Sequence, residues 1–233
     1  MSASSHLPVQ VIIPARKNSK RFPKKNKALL GGIPLVAHSI QYALDEGVSK
    51  DQIWVNSDDP EILEIAKGYD VKLYPRLEGL AEDTTSTAAV LEDQLNFFKK
   101  NLIPCEAIVL LQVTNPFRPK GKLLQWITEL LGSDRSSLCS FSPLNKKFGR
   151  IEKGQFQPVN YQPGQRMQDL EALYYENGCI YITKATLIAD SKVIGKDAIP
   201  IVMEDILYTV DIDEKFDLEL AEALLLLRNE KIQ

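Results

Sequence analysis

The chain has 233 residues, 44% of them hydrophobic and 25% charged, which are proportions of a globular protein able to bury a sizeable core. Its formal net charge is −3 and its pI about 5.6, so no global field draws it to nucleic acid or to an anionic membrane. Clustering of cations therefore carries more meaning than their total. The first element shows such clustering: a strand at Gln10–Ala15, rich in β-branched residues, stops at Pro14-Ala15 and gives way to Arg16, Lys20, Arg21, Lys24, Lys25 and Lys27, with Asn18, Ser19 and Asn26 among them. In open α/β sheets ligands bind outside the carboxyl ends of strands. Cations and small polar residues placed there supply charge and donors to a polyphosphate; a solvated basic loop is the alternative reading.

Apolar spacing predicts helices at Pro34–Glu46 and Pro60–Tyr69, each opened by a proline suited to a first turn, with a strand at Gln52–Ser57 between them. Ser57, Asp58 and Asp59 end that strand, where Asp-Pro reads mainly as helix-start chemistry. A strand at Val71–Tyr74 leads through Arg76 to Asp83, Thr84, Thr85 and Ser86 at the start of a helix over Thr84–Lys100. Hydroxyls and a helix amino terminus bind a base, ribose or anion, and capping explains the same residues. The next strand, Ala107–Gln112, ends in Gln112, Thr114, Asn115 and Arg118. Amides and hydroxyls at a strand's carboxyl end face the ligand side, and Arg118 suits a phosphate or carboxylate; an Asn-Pro turn is the alternative. A helix at Lys120–Leu131 and a strand at Ser136–Ser142 follow.

From Pro143 to about Tyr174 the alternation stops, and Pro, Gly, Gln and Asn are mixed with Phe148, Ile151, Phe156, Val159 and Tyr161 around a hairpin turn at Lys153-Gly154. Those apolar side chains need burial, so the segment reads as an inserted β arm whose partner surface lies in part on another subunit. Glu176, Asn177 and Gly178 turn into a strand at 178–183; Ala198–Val202 is another, and Asp213–Arg228 is a closing amphipathic helix. Before that helix, Asp211 and Asp213 flank Ile212, and residues two apart in an extended segment face the same side. Two hard oxygen donors suit Mg²⁺ when phosphates and waters complete its octahedron, whereas a helix cap at Asp213 is the bland reading. Strands alternating with helices predict a largely parallel sheet covered on both faces.

Cys105, Cys139 and Cys179 lie far apart in or beside apolar runs, which fits buried thiols in a reducing compartment and neither a disulfide framework nor a zinc site. His6 and His38 alone give little scope for a histidine triad or a His-rich metal site. The amino terminus has no signal-peptide pattern and no run reaches transmembrane length, so a soluble, cytoplasmic protein is expected.

Taken in order, these motifs resemble the acylneuraminate cytidylyltransferase family of the nucleotide-diphospho-sugar transferase superfamily. The resemblance rests on Pro14-Ala15-Arg16, Ser19-Lys20, Pro23-Lys24-Lys25-Asn26, Ser57-Asp58, Arg76, Leu80-Ala81, Asp83-Thr84, Leu110 to Arg118, Gln168-Asp169-Leu170, Glu176 to Ile182 and Val210 to Asp213. It implies a Rossmann-like three-layer α/β/α fold with a mostly parallel sheet, in which 1–142 and 175–233 form the nucleotidyltransferase domain and 143–174 an inserted β-rich dimerisation arm. It implies transfer of CMP from CTP to the anomeric hydroxyl of a 2-keto sugar acid in a homodimer, with Mg²⁺, or Mn²⁺ in its place, and with no nucleic-acid or membrane partner.

By the same resemblance, Ala15, Arg16, Ser19, Lys25, Asn26, Arg76, Asp83, Thr84 and Ser86 bind the nucleotide. Gln112, Thr114, Arg166, Asn177 and Tyr181 bind the sugar, and Asp211 and Asp213 hold the metal. Arg16, Lys25, Gln112 and Asp211 carry catalysis. The chain departs from the family pattern at Val113, at Asn115, at Arg166-Met167 before Gln168, and at Asn145-Lys146-Lys147. All of these fall on the acceptor side, where Arg166, Lys146, Lys147 and Arg150 are candidates to reach a partner's site. A CMP-Kdo synthetase is the second reading, since Arg21-Phe22-Pro23 also fits that family; a nucleotide-binding relative without turnover is the third.

Overall fold

A computed structural model describes residues 7–230; His6 lies outside them. The elements in chain order are β1 (Val9–Pro14), β2 (Leu29–Leu30), β3 (Ile33–Pro34), α1 (Leu35–Asp45), β4 (Ile53–Ser57), α2 (Pro60–Lys67), β5 (Lys72–Pro75), α3 (Thr87–Lys100), β6 (Ala107–Leu110) and α4 (Leu123–Leu131). They continue with β7 (Ser137–Pro143), β8 (Gly149–Glu152), β9 (Gln155–Pro158), β10 (Tyr174–Lys184), α5 (Ala185–Ala189), β11 (Ile199–Val202) and α6 (Lys215–Glu230). Seven strands form one sheet in the order β11-β7-β10-β6-β1-β4-β5. β10 runs antiparallel to both neighbours, and the other pairs are parallel, so the sheet is mostly parallel as predicted.

Both faces of the sheet are covered, which explains why its central strands are apolar runs rather than alternating ones. In β1, Val9, Val11 and Ile13 enter one core with residues of α1, α2, α4 and α6, while Ile12 enters the opposite core with Trp54 and with Leu91, Leu95 and Phe98 of α3. Each such buried side chain contributes about 1.5–3 kcal/mol. Trp54 also packs edge-on against Phe97, with ring centroids 5.7 Å apart, in the geometry aromatic quadrupoles favour.

Several boundaries differ from the sequence expectation for local reasons. α3 starts three residues late because Ser86 is its cap, accepting from the Ala89 amide at 3.2 Å. α4 starts at Leu123 because the amides of Lys122 and Leu123 donate to the Glu46 carboxylate at 2.9 and 2.8 Å. β10 begins at Tyr174 rather than 178, since its register with β7 breaks between Glu176 and Tyr181 and hides the period-2 pattern. β8 and β9 pair only with each other, in a separate two-stranded sheet within the 143–174 segment. The carboxyl ends of β1, β4, β5 and β6 and the start of β10 converge on one edge of the main sheet.

Candidate active site

A cleft of about 380 Å³ opens at that edge, lined among others by Arg16, Ser19, Lys25 and Asn26 from the loop after β1. Arg76 enters from the end of β5, Thr85 and Thr87 from the start of α3, Gln112 and Thr114 from the loop after β6, and Asp211 and Asp213 from the approach to α6. Residues far apart in the chain thus meet at one opening, the position that ligands take in open α/β sheets. Ala15 is buried behind the lining, its carbonyl accepting from Ser57 Oγ. Asp83 and Thr85 line the cleft, whereas Thr84 and Ser86 do not; Thr87 stands there too, a residue the sequence reading did not name. The signal was available: a cap at Ser86 places Thr87 inside the first turn and leaves Thr85 in the loop before it.

The basic loop is held by acids of the same cleft. Arg16 pairs with Asp83 at 2.9 Å, Lys20 with Asp83 at 2.8 Å and Lys25 with Asp213 at 2.8 Å; Arg21 also pairs with Asp213. Lys25 is only 9% exposed, placed by a tight turn in which Lys24 takes φ 60° before a single 3₁₀ turn over Lys25–Lys27. Asn26 donates to the Arg16 carbonyl at 2.8 Å and fixes the loop's entrance. Lys27 serves the fold: it pairs with Asp59 at 2.8 Å and Glu61 at 2.9 Å, and those bonds raise its pKa. Asp59 in turn caps α2 by accepting from the Glu61 amide at 2.9 Å, the capping role expected for Asp-Pro.

Asp211 and Asp213 are pinned to the loop after β6, because the Ile212 amide between them donates to the Thr114 carbonyl at 2.8 Å. Asp211 has its pKa raised, mainly by burial and further by Asp213, against the opposing bond from Thr114 and the charge of Lys25. Burial acts the same way on Asp213, but Lys25 and Arg21 outweigh it and hold that carboxyl low. Asp213 does not cap α6 with its side chain; Asp217 does so, accepting from the Asp213 and Glu214 amides at 2.8 and 2.7 Å. Both carboxylates are therefore directed to the cleft rather than to their own helix.

A second hollow of about 310 Å³ adjoins the cleft, lined by Gln112, Tyr175, Glu176, Asn177, Gly178, Tyr181, Thr209 and Asp211. Gln112 and Asp211 line both spaces and stand between them. Gly178 takes φ +79°, and a Cβ there would lie 2.5 Å from Asn115 Oδ1 and 2.9 Å from Gln112 Oε1, so only glycine lets the loop after β6 approach β10. The Asn177 carboxamide lies in the broken register of β10, where it accepts from Ser140 Oγ at 2.6 Å and donates to Ser142 Oγ at 3.1 Å. Tyr181 donates to Glu176 at 3.1 Å. Thr114 lines the larger cleft but not this hollow.

Arg118 does not face a ligand. It is buried with Nε on the Cys179 carbonyl at 2.7 Å, Nη1 on Ser39 at 3.2 Å and Nη2 on the Gln112 carbonyl at 2.6 Å. This corrects the phosphate-or-carboxylate reading: Arg118 holds the loop that carries Gln112. Arg166 lines neither hollow of its own chain; it is exposed and pairs with Asp169 at 2.7 Å. Lys146, Lys147 and Arg150 line neither hollow either.

Burial pushes Cys105 and Cys139 up to about 12 and Cys179 to about 11. At pH 8 the thiolate fraction is then on the order of one in a thousand or less. An aromatic disulfide reagent is expected to leave the buried Cys139 and Cys179 untouched in the native protein, to reach the half-buried Cys105 slowly, and to titrate three after denaturation; fast reaction of Cys139 or Cys179 in the native protein would contradict this burial.

Comparison with known proteins gives the family. The sequence-family profile described as "Cytidylyltransferase" matches residues 10–232. The chain is 32% identical over 232 residues to CMP-N,N'-diacetyllegionaminic acid synthase of Legionella pneumophila, covering 96% of this chain and 99% of that protein. It is 30% identical over 221 residues to pseudaminic acid cytidylyltransferase of Campylobacter jejuni, covering 91% and 94%. It is 33% identical to N-acylneuraminate cytidylyltransferase of Streptococcus agalactiae over 178 residues, which are 74% of this chain and 42% of that protein. Among solved structures, a CMP:2-keto-3-deoxy-manno-octonic acid synthetase complexed with CTP superposes with a TM-score of 0.65 at 17% identity, over 94% of this chain and 99% of the other, a likeness of fold. With the profile spanning nearly its whole length and a full-length relative at that identity, the chain belongs to the cytidylyltransferase family and is an enzyme of that class.

Proposed function

We propose that this cytidylyltransferase joins CMP to a nine-carbon 2-keto sugar acid, an N-acylneuraminate or a related nonulosonate. The anomeric hydroxyl oxygen bonds to the α-phosphorus of CTP, the bond from that phosphorus to the bridging oxygen breaks, and pyrophosphate leaves as the hydroxyl gives up its proton. The observation that carries this reading is the pair of adjoining hollows that share Gln112 and Asp211. One hollow is rich in cations for a triphosphate, and the other holds amides, hydroxyls and a carboxylate for a polyhydroxy acceptor. Relatives named for legionaminic, pseudaminic and N-acylneuraminic acids support the acceptor class.

In this reading Arg16, Ser19 and Lys25 hold the triphosphate, and Asn26, Arg76, Asp83, Thr85 and Thr87 surround the nucleoside. Gln112 orients the attacking hydroxyl beside Tyr181. Charge exchange governs entry: the triphosphate draws Arg16 away from Asp83, and Lys25 and Arg21 away from Asp213. The Asp213 carboxylate so released, with Asp211, fits Mg²⁺ or Mn²⁺. Two hard oxygen donors line one cleft there, and burial together with Asp213 makes the charge on Asp211 costly until a cation offsets it. Among the described residues no group of three or more metal-ligating side chains is assembled, so the phosphates and waters would complete the shell. When bound, the ion neutralises phosphate charge.

The exposed apolar residues of the β8–β9 arm, Ile151 and Phe156 among them, support a homodimer in which Arg166 or a neighbouring cation approaches the partner's acceptor hollow. No helix among the described residues is long and apolar enough to cross a membrane.

Pyrophosphate release from CTP, measured across N-acetylneuraminate, legionaminate, pseudaminate, Kdn and Kdo, tests the reading. A nine-carbon acid is expected to give a kcat/KM at least tenfold above that with Kdo. Turnover confined to Kdo would replace the acceptor, and release with none of them would favour a binding-only relative.

A further inference from the structure

β4 carries an anomaly. Its sequence, Ile-Trp-Val-Asn-Ser, is apolar apart from its end, yet Asn56 is fully buried within the sheet, between Pro14 of β1 and Tyr74 of the edge strand β5. Asparagine is depleted in strands, and a buried carboxamide is unfavourable unless both of its ends are bonded. Here both are. Oδ1 accepts from Arg76 Nε at 2.6 Å, and Nδ2 donates to Gln94 Oε1 at 2.8 Å. The Asn56 carbonyl accepts a second bond from Arg76, from Nη2 at 3.0 Å.

The direction of this chain is fixed from one end. A guanidinium only donates, so Asn56 must turn its oxygen to Arg76 and its amide nitrogen to Gln94. Gln94 must then answer with its oxygen, and its own Nε2 is left without a hydrogen-bond partner among the described residues. Gln94 is fully buried on α3 and lines no hollow described above, so contact with a ligand does not account for it. Among the described residues its one side-chain bond is to Asn56.

Arg76 is 9% exposed and has no carboxylate within ion-pair distance among the described residues, in contrast to Arg16, Lys25 and Lys27. It is held instead by one neutral residue through Nε and Nη2, while Nη1 makes no hydrogen bond among the described residues and the side chain lines the cleft. A carboxylate partner would compete with a bound ligand for the guanidinium, whereas an amide fixes its plane without quenching its charge.

We propose that Asn56 and Gln94 are positioning residues that hold Arg76 at the angle needed to read the nucleotide. They act through a buried amide relay and touch no substrate themselves. This rests on the reading of Arg76 as a nucleotide-binding group. The relay sets KM for CTP and leaves the acceptor side untouched.

The experiment is a double-mutant cycle on the full chain, with initial rates measured against CTP and against the acceptor and with thermal unfolding recorded for every variant. Arg76→Ala is expected to raise KM for CTP at least tenfold; no change there would overturn the reading of Arg76 itself. With that effect in place, Asn56→Leu is expected to raise KM for CTP about tenfold, and Gln94→Met about threefold, with KM for the acceptor within twofold of wild type. Gln94→Glu, which keeps an oxygen toward Asn56, is expected to restore the wild-type value. In the Arg76→Ala background, Gln94→Met is expected to add nothing.

If Asn56→Leu does not fold, the Gln94 variants decide the matter, since Gln94 lies one bond further from the cleft. The relay is overturned if Gln94→Met leaves KM for CTP unchanged in the presence of Arg76. It is equally overturned if the effect persists undiminished without Arg76, because Gln94 would then be acting through the packing of α3.

Discussion

Asp211→Asn is expected to lower kcat by roughly 10³-fold, equivalent to about 4 kcal/mol of barrier, while the protein melts at or slightly above the wild-type temperature. The two effects have opposite signs for one reason. In the folded chain the Asp211 carboxylate is destabilised first by burial and then by Asp213 and Asp217, with Thr114 and Lys25 offsetting this in part. A neutral amide of the same shape escapes burial of a charge and the repulsion, so stability holds or improves. Such tension between stability and charge is common at catalytic centres. Function loses what stability gains, because Asp211 stands between the two hollows and is one of two hard oxygen donors at the phosphate side. Pyrophosphate release under saturating CTP, acceptor and Mg²⁺, with a melting curve on the same preparation, checks both signs. Turnover within threefold of wild type would remove Asp211 from the reaction. A melting temperature lowered by several degrees would mean instead that the carboxylate is structural.

Much of the scaffold was legible because its signals are local. Ile12 and Ile13 point to opposite cores, and only a strand covered on both faces permits such an unbroken apolar run. Asp211 and Asp213 read as a pair on one side from the period of an extended segment, which needs no tertiary knowledge, and both line the one cleft. What escaped was long-range. Nothing near Leu123 indicates that Glu46 caps its helix, and nothing near Asn56 shows that its amide is bonded to Gln94 on α3.

The basic loop illustrates the same limit. Its cations look alike in sequence, yet Lys27 is bound to Asp59 for the fold while Lys25 is bound to Asp213 within the cleft. Their fates depend on acids 32 and 188 positions away, counting from Lys27 to Asp59 and from Lys25 to Asp213. At the start of α3 the limit is smaller: one capping hydroxyl, on Ser86, shifts which residues of the helix start line the cleft, Thr85 and Thr87 rather than Thr84 and Ser86.

Arg118→Met is expected to destabilise the protein by about 4 kcal/mol, which lowers the melting temperature of a chain of this size by roughly 10 °C. The guanidinium joins three elements at once: the Cys179 carbonyl of β10, the Ser39 hydroxyl of α1 and the Gln112 carbonyl after β6. It also lies 5.5 Å from the centre of the Tyr42 ring. Methionine fills most of the space but removes three bonds from a charged donor, each costing about 1.5–3 kcal/mol, and leaves the Gln112 carbonyl with the Asn115 amide at 3.3 Å; the relief from no longer burying a cation offsets part of that. Arg118→Lys is expected to recover little, because a single ammonium cannot serve three acceptors spread around a planar fork. Since Gln112 loses the shorter of the two bonds on its carbonyl, kcat is expected to fall several-fold below the melting transition while KM for CTP changes little. Thermal unfolding and steady-state kinetics separate this from the sequence-level expectation of a phosphate contact. A variant of normal melting temperature with KM for CTP raised tenfold or more would return Arg118 to the ligand, and a destabilised variant with near-normal KM for CTP places it where the structure does, behind Gln112 as its anchor.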